Sequence, residues 1–284
     1  MKSGTDVTAW SCPNCRGLVE TPFCPGCGEQ RLRARHLTLR DLAHQAMVAL
    51  SSVDGKLLRS LRAVVLRPGE LTLAFIEGRR TPFLGPLQIF LLANGLFFAL
   101  HPFARASVFS SPLKSHLHQQ DWSGLAQRLV AARLEAKNLT LSAYTPVFDH
   151  AVVLNAKALV ILMALAFAPL LALTAWNSRR PLAAHVVFAL HLYAFLLILF
   201  CGALLIIAVD LRLGGAGLAS HAMDVVLSVI ELVVCAGYLY VALGVVYGAG
   251  RLLRVFQALV LTATVGAIVL GYRFAVFLIT LYTT

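Results

Sequence analysis

Five stretches of this chain run for about twenty residues or more with almost no charge, and this constrains the fold more than any other feature. They are Phe83 to Pro102, Val152 to Trp176, His185 to Val209, Asp224 to Gly248 and Val255 to Thr280. Hydrocarbon offers no water to an unpaired amide, so segments of this length and polarity cross a bilayer as helices. Composition agrees: only 13% of residues are charged, against about 25% in soluble domains. The expected fold is an all-α polytopic membrane protein of about five transmembrane helices, residues 83–284, with an outer loop at 101–150.

The net charge of +11 is concentrated where topology signals belong, since residues 1–82 hold 12 of the 24 Lys and Arg. With the N-terminus cytoplasmic, Arg179, Arg180, Arg251 and Arg254 fall on short inner loops, as the positive-inside bias requires. That orientation puts the C-terminus in the periplasm of a bacterial inner membrane. Trp176 then sits where an interfacial aromatic is expected. The chain begins Met1-Lys2-Ser3 and meets cysteines before any apolar run, so the first span is expected to be an uncleaved anchor.

Residues 1–30 carry the clearest motif. Cys12-Pro13-Asn14-Cys15 and Cys24-Pro25-Gly26-Cys27 are two CxxC pairs. Four thiolates so spaced can close a tetrahedron on Zn2+, with sulfurs at about 2.3 Å. Gly17 and Gly28, just past each pair, are expected to supply the positive φ of the two turns. Two disulfides would need an oxidising compartment, and the charge bias argues for the cytosol instead. Iron in a rubredoxin-like site is the alternative metal. A site closed by four cysteines has no open position, so the zinc is expected to be structural, folding a segment with few apolar side chains. Arg31, Arg33 and Arg35 follow closely, but they serve equally as inner-face topology signals, and nucleic acid is not an expected partner. Cys201 and Cys235 lie in spans and read as small apolar residues.

Residues 31–82 read as basic amphipathic helices. Thr38-Leu39-Arg40-Asp41 resembles a capping box, followed by Leu39, Leu42, Ala43, Ala46 and Leu50 at helical spacing. A second helix is expected after Asp54-Gly55, with Leu57, Leu58, Leu61, Val64 and Val65 on one side and Arg59 and Arg62 on the other. A third is expected from Glu70 to Glu77. Such helices either lie among headgroups with arginine toward anionic lipid or pack as a small domain on the inner ends of the spans. Arg59, Arg62, Arg79, Arg80, Arg179 and Arg180 are the candidate lipid or partner contacts.

Ionisable groups within spans call for a functional hypothesis. Glu231, Arg273, His191 and His185 form the candidate intramembrane polar site. Glu231 and Arg273 stand at similar depth in antiparallel helices, which suggests an ion pair. Against it, Arg273 points away from Ala263, Ala267 and Gly271, which with Gly244 and Gly248 are expected to be close-packing faces. His185 and His191 differ by about 120° around one helix and do not share a metal unaided; His191 reads as a hydrogen-bonded structural residue. In the outer loop a helix is expected over Asp121 to Lys137, and His116-Leu117-His118 would put both rings on one side of an extended segment. No nucleophile elbow, Walker loop, HExxH or Rossmann fingerprint is present, so no catalytic residue is assigned.

The segments CPNC…FCPGCGEQ at Cys12–Gln30, LTLRDL at Leu37–Leu42, LLRSLRAVVLRPGELTLAFIEGRRTPFLGPL at Leu57–Leu87, HVVFALHLYAF at His185–Phe195 and YRFAVFLITLYTT at Tyr272–Thr284 resemble an uncharacterised bacterial family. It comprises zinc-ribbon, multi-pass inner-membrane proteins catalogued as a domain of unknown function. A visible departure is Tyr193, where members often carry a further histidine. The resemblance implies the same architecture and no activity. The expected function is non-enzymatic: the zinc knuckle and basic helices dock a cytoplasmic partner or anionic lipid. Alternatives are transport of a small solute or lipid through the bundle, and a membrane-embedded enzyme acting on an anionic headgroup.

Overall fold

A computed structural model describes residues 9–29, 55–104, 109–178 and 180–284. The expected helix after Thr38, the arginines at 31, 33 and 35, and Arg179 lie outside the described residues.

Among the described residues the structure is mostly helical, with one antiparallel pair of two-residue strands, β1 (Trp10–Ser11) and β2 (Leu18–Val19). The helices are α1 (Lys56–Leu66), α2 (Glu70–Ile76), α3 (Pro86–Leu100), α4 (Leu113–His118), α5 (Ser123–Lys137), α6 (Leu141–Leu159), α7 (Ile161–Thr174), α8 (Leu182–Arg212), α9 (His221–Tyr247) and α10 (Arg251–Thr283). Among the described residues, four segments are long and apolar enough to cross a membrane: Pro86–Ala104, Leu182–Arg212, Ala222–Tyr247 and Arg251–Thr283. The pair α6 and α7, bent by 43°, makes a fifth if it is one span. The chain is a multi-pass membrane protein, as its hydropathy requires.

The second crossing differs from expectation. Its helix opens at Leu141, not near Val152, because Thr140 caps it by accepting from the Ala143 amide at 3.3 Å. Asp149, which reads as loop, is helical and spends its carboxylate on the Leu113 amide at 2.7 Å, opening α4. The bend at Val160 has a local cause. The Ala156 carbonyl accepts from the Tyr272 hydroxyl at 2.7 Å, and the Lys157 carbonyl accepts from Asn94 Nδ2 at 3.1 Å. Both bonds compete with the helical ladder at the turn where it breaks.

Packing divides the chain into two compact units. The first comprises Met1–Ala93, Ala168–Ile198 and Leu232–Thr262; the second comprises Asn94–Phe167, Leu199–Glu231 and Ala263–Thr284.

In the first unit, α1 and α2 meet at a turn whose Gly69 has φ +84° and lies so close to α9 that a Cβ would come within 2.9 Å of Ala242 backbone atoms. Only glycine fits both the conformation and the space. The small residues expected to pack closely do not: Gly248 and Gly271 meet nothing within 4 Å, Gly244 faces the Arg254 side chain, and Ala263 and Ala267 are exposed. The α1 face also differs from expectation. Ser60, Ala63 and Val64 are buried, whereas Leu58 is 75% exposed and Val65 and Leu66 are exposed too.

In the second unit, His116 and His118 lie on a helix and not on an extended segment, so their side chains point about 200° apart. His116 is buried against Phe148 and Phe277, which also touch each other, and accepts from Trp122 Nε1 at 3.3 Å.

Candidate functional site

The cysteine cluster is built from two copies of one turn. The Cys12 carbonyl accepts from the Arg16 amide at 2.8 Å, and the Cys12 amide donates to the Gly17 carbonyl at 2.9 Å. Cys24 repeats both bonds with Gly28 and Glu29, at 2.8 and 2.7 Å. The positive φ falls on the residue that follows the second cysteine of each turn, Arg16 at 62° and Gly28 at 72°. Gly28 was the expected residue; Gly17 stands one place too late, and an arginine takes the strained position. Trp10 and Val19 from the strand pair back the cluster, and Trp10 Nε1 donates to the Thr21 carbonyl at 2.8 Å.

All four sulfurs lie within 4.8 Å of one another, with Cys12–Cys27 at 3.5 Å and Cys15–Cys24 at 3.4 Å. A tetrahedron with sulfurs at about 2.3 Å from a metal has edges of about 3.8 Å, so the cluster fits one metal ion. The closest pairs join different turns, so a metal there holds the two turns together. Among the described residues this is the only group of three or more potential ligands placed to hold a metal.

The knuckle is fastened to the chain just before the first span through Glu29, a residue that motif reasoning passed over. Its carboxylate is 4% exposed and accepts from the Arg80 and Thr81 amides, both at 3.0 Å, and from the Thr81 hydroxyl at 2.6 Å. Glu29 closes CPGCGE and Thr81 follows Gly-Arg-Arg, so both ends lie in the quoted segments, but no local periodicity links them.

Beside this latch is a groove of about 450 Å³ lined by Arg59, Arg62, Arg67 and Arg79, with Leu71, Ala74 and Phe83 among its apolar walls. Arg59, Arg62 and Arg79 were expected contacts; Arg67 joins them because the Arg67–Gly69 turn folds it back. Two of the four are held by acids, Arg67 by Glu70 at 3.4 Å and Arg79 by Glu77 at 2.8 Å. Arg59 donates to the Pro82 carbonyl at 3.3 Å. Arg62 makes no bond to any described residue. Arg80 is turned away, its guanidinium over the Phe75 ring at 4.4 Å. Arg180 lies elsewhere, donating to the Val246 carbonyl at 3.3 Å and lining a smaller cavity with Trp176 and His185.

Of the four residues of the expected intramembrane site, His185 and His191 belong to the first unit, and Glu231 and Arg273 to the second. His185 Nδ1 bonds the Tyr247 hydroxyl at 2.8 Å, with the rings stacked at 5.5 Å. His191 Nδ1 bonds the Thr72 hydroxyl at 2.8 Å and is buried, tying α8 to α2 as a structural histidine would. Glu231 and Arg273 form no ion pair; Arg273 donates to Ser111 Oγ at 2.9 Å instead. They do line one cavity.

Residues 54–98 match a family described as "Protein of unknown function (DUF3667)". The match covers α1, α2, the turn that receives Glu29 and most of α3. No curated protein and no solved structure matches the chain.

Proposed function

We propose that this chain is a non-enzymatic protein of the bacterial inner membrane, N-terminus cytoplasmic and C-terminus periplasmic, whose arginine groove holds the phosphate of an anionic lipid headgroup. The observation that carries this reading is the convergence of Arg59, Arg62, Arg67 and Arg79 on one groove with apolar walls. Guanidinium groups match phosphate oxygens by paired hydrogen bonds. The exposed Leu58, Val65 and Leu66 on the same short helix as Arg59 and Arg62 suit the boundary between headgroups and acyl chains. Zn2+ is the metal the donor set favours, since four thiolates at this spacing form a closed structural site. In this reading the knuckle is a clamp: Glu29 fixes the Arg80-Thr81 turn and so the position of Arg79 at the groove.

The test is native mass spectrometry of the full chain in detergent, offered phosphatidylglycerol and phosphatidylcholine. Wild type is expected to retain phosphatidylglycerol selectively, and Arg59→Ala/Arg62→Ala/Arg79→Ala to lose at least tenfold of that retention. Equal retention of both lipids, or an unaffected triple variant, refutes the lipid assignment. Cross-linking in cells separates the protein-partner alternative, which predicts a captured protein lost in Cys12→Ser/Cys15→Ser.

A further inference from the structure

The second unit contains a cavity of about 480 Å³ whose charged lining is Glu231 and Asp224 from α9 and Arg273 from α10. Its size lies within the range of about 300–1,000 Å³ typical of small-molecule sites. The walls follow helical spacing: Asp224, Leu227 and Glu231 on one face of α9, Phe200 and Leu204 on α8, Val269 and Arg273 on α10. Ser115 and Gln120 add neutral polar groups.

Opposite charges in a span ordinarily pair with each other, because each alone is costly in hydrocarbon. Here they do not. Glu231 makes no hydrogen bond or ion pair to any described residue. Arg273 uses one Nη on Ser111, and its Nε is buried without a partner. A simple anion would satisfy the arginine and be repelled by two carboxylates; a simple cation would leave the arginine unmatched. A molecule bearing both charges satisfies both ends.

We propose that this cavity binds a zwitterion, its ammonium group at Glu231 and its carboxylate or phosphate at Arg273. The chemistry is shared by a free amino acid and by the phosphoethanolamine headgroup of a lipid. The site is separate from the arginine groove and does not depend on it.

The experiment uses the full chain in phosphatidylglycerol nanodiscs, whose lipid carries no ammonium group. Binding is measured by isothermal calorimetry for alanine and phosphoethanolamine, with ethanolamine and glycerol phosphate as half-ligands, and by thermal shift on adding phosphatidylethanolamine. At least one zwitterion is expected to bind tenfold or more tightly than either half-ligand. Alanine alone points to a solute; phosphoethanolamine together with its lipid points to a headgroup. Glu231→Gln and Arg273→Met are each expected to weaken binding at least tenfold. Ala203 of α8 also lines the cavity; Ala203→Phe, which fills it without changing charge, is expected to abolish binding while leaving the melting temperature near wild type. Half-ligands binding as well as zwitterions, no response to any probe, or full binding by Ala203→Phe overturns the proposal.

Discussion

The Glu29 carboxylate takes a 2.6 Å hydrogen bond from the Thr81 hydroxyl, joining residues 52 positions apart. Together with the two amide bonds it fixes the cysteine knuckle against the turn that precedes the first span. Replacing Glu29 by Ala leaves the Arg80 and Thr81 amides without their acceptor, at a cost of about 2 kcal/mol. Hydrogen exchange at those two amides is therefore expected to quicken by about thirtyfold, with all four cysteines still holding metal. Unchanged exchange would mean that the knuckle is held by other contacts.

The sulfur geometry predicts about one metal ion per chain. Elemental analysis is expected to find zinc in wild type and little metal in Cys12→Ser/Cys15→Ser. Trp10 packs on the cluster, so stripping the metal with a strong chelator is expected to red-shift its emission. Trp122 and Trp176 need replacing first to isolate that signal.

The bond between Thr72 and His191 is buried on both sides. Thr72→Val keeps the shape and removes the hydroxyl, stranding a ring nitrogen at a cost of about 1–3 kcal/mol. Thr72→Ser restores it. Melting temperatures in detergent should therefore rank wild type, then Ser, then Val.

Gly69→Ala tests the close approach to Ala242. The left-handed φ alone costs an L-residue about 1–2 kcal/mol, and the new methyl meets backbone, which gives less readily than a side chain end. A loss of more than about 2 kcal/mol is expected, read as reduced yield and a lower melting temperature.

How much of this was readable beforehand follows from the range of the signals. Each span is a property of consecutive residues, and so is each CxxC pair, which is why both are legible. Glu29 is a lone acid whose meaning depends on a turn 52 residues away. The α6 start is not legible locally because Asp149 and His150 look like loop, and the amide that Asp149 satisfies, at Leu113, lies 36 residues upstream. Glu231 and Arg273 could be placed at one depth but not seen to face a common cavity, since helix rotation is set by packing and not by hydropathy.

His116 gives a prediction about acid. Burial, then the nearby Arg273 charge, holds its imidazole down at about 4, against about 6.5 when unfolded. The unfolded chain thus binds more protons between these values, so stability rises with pH through that window. It is fully present above about pH 6.5 and is lost as pH falls toward 4. His116→Phe is expected to flatten the melting-temperature profile between pH 6.5 and 4.5, because a phenyl ring beside Phe148 and Phe277 takes up no proton.

The bend in the second crossing carries a consequence for biosynthesis. Its two occupied carbonyls receive their donors from Asn94, made earlier, and from Tyr272, made 116 residues later. Until the C-terminal helix leaves the ribosome and partitions into lipid, the Ala156 carbonyl lacks its phenol. A chain lacking Tyr272 would insert its earlier helices and still leave that carbonyl unsatisfied, so α10 completes the bend.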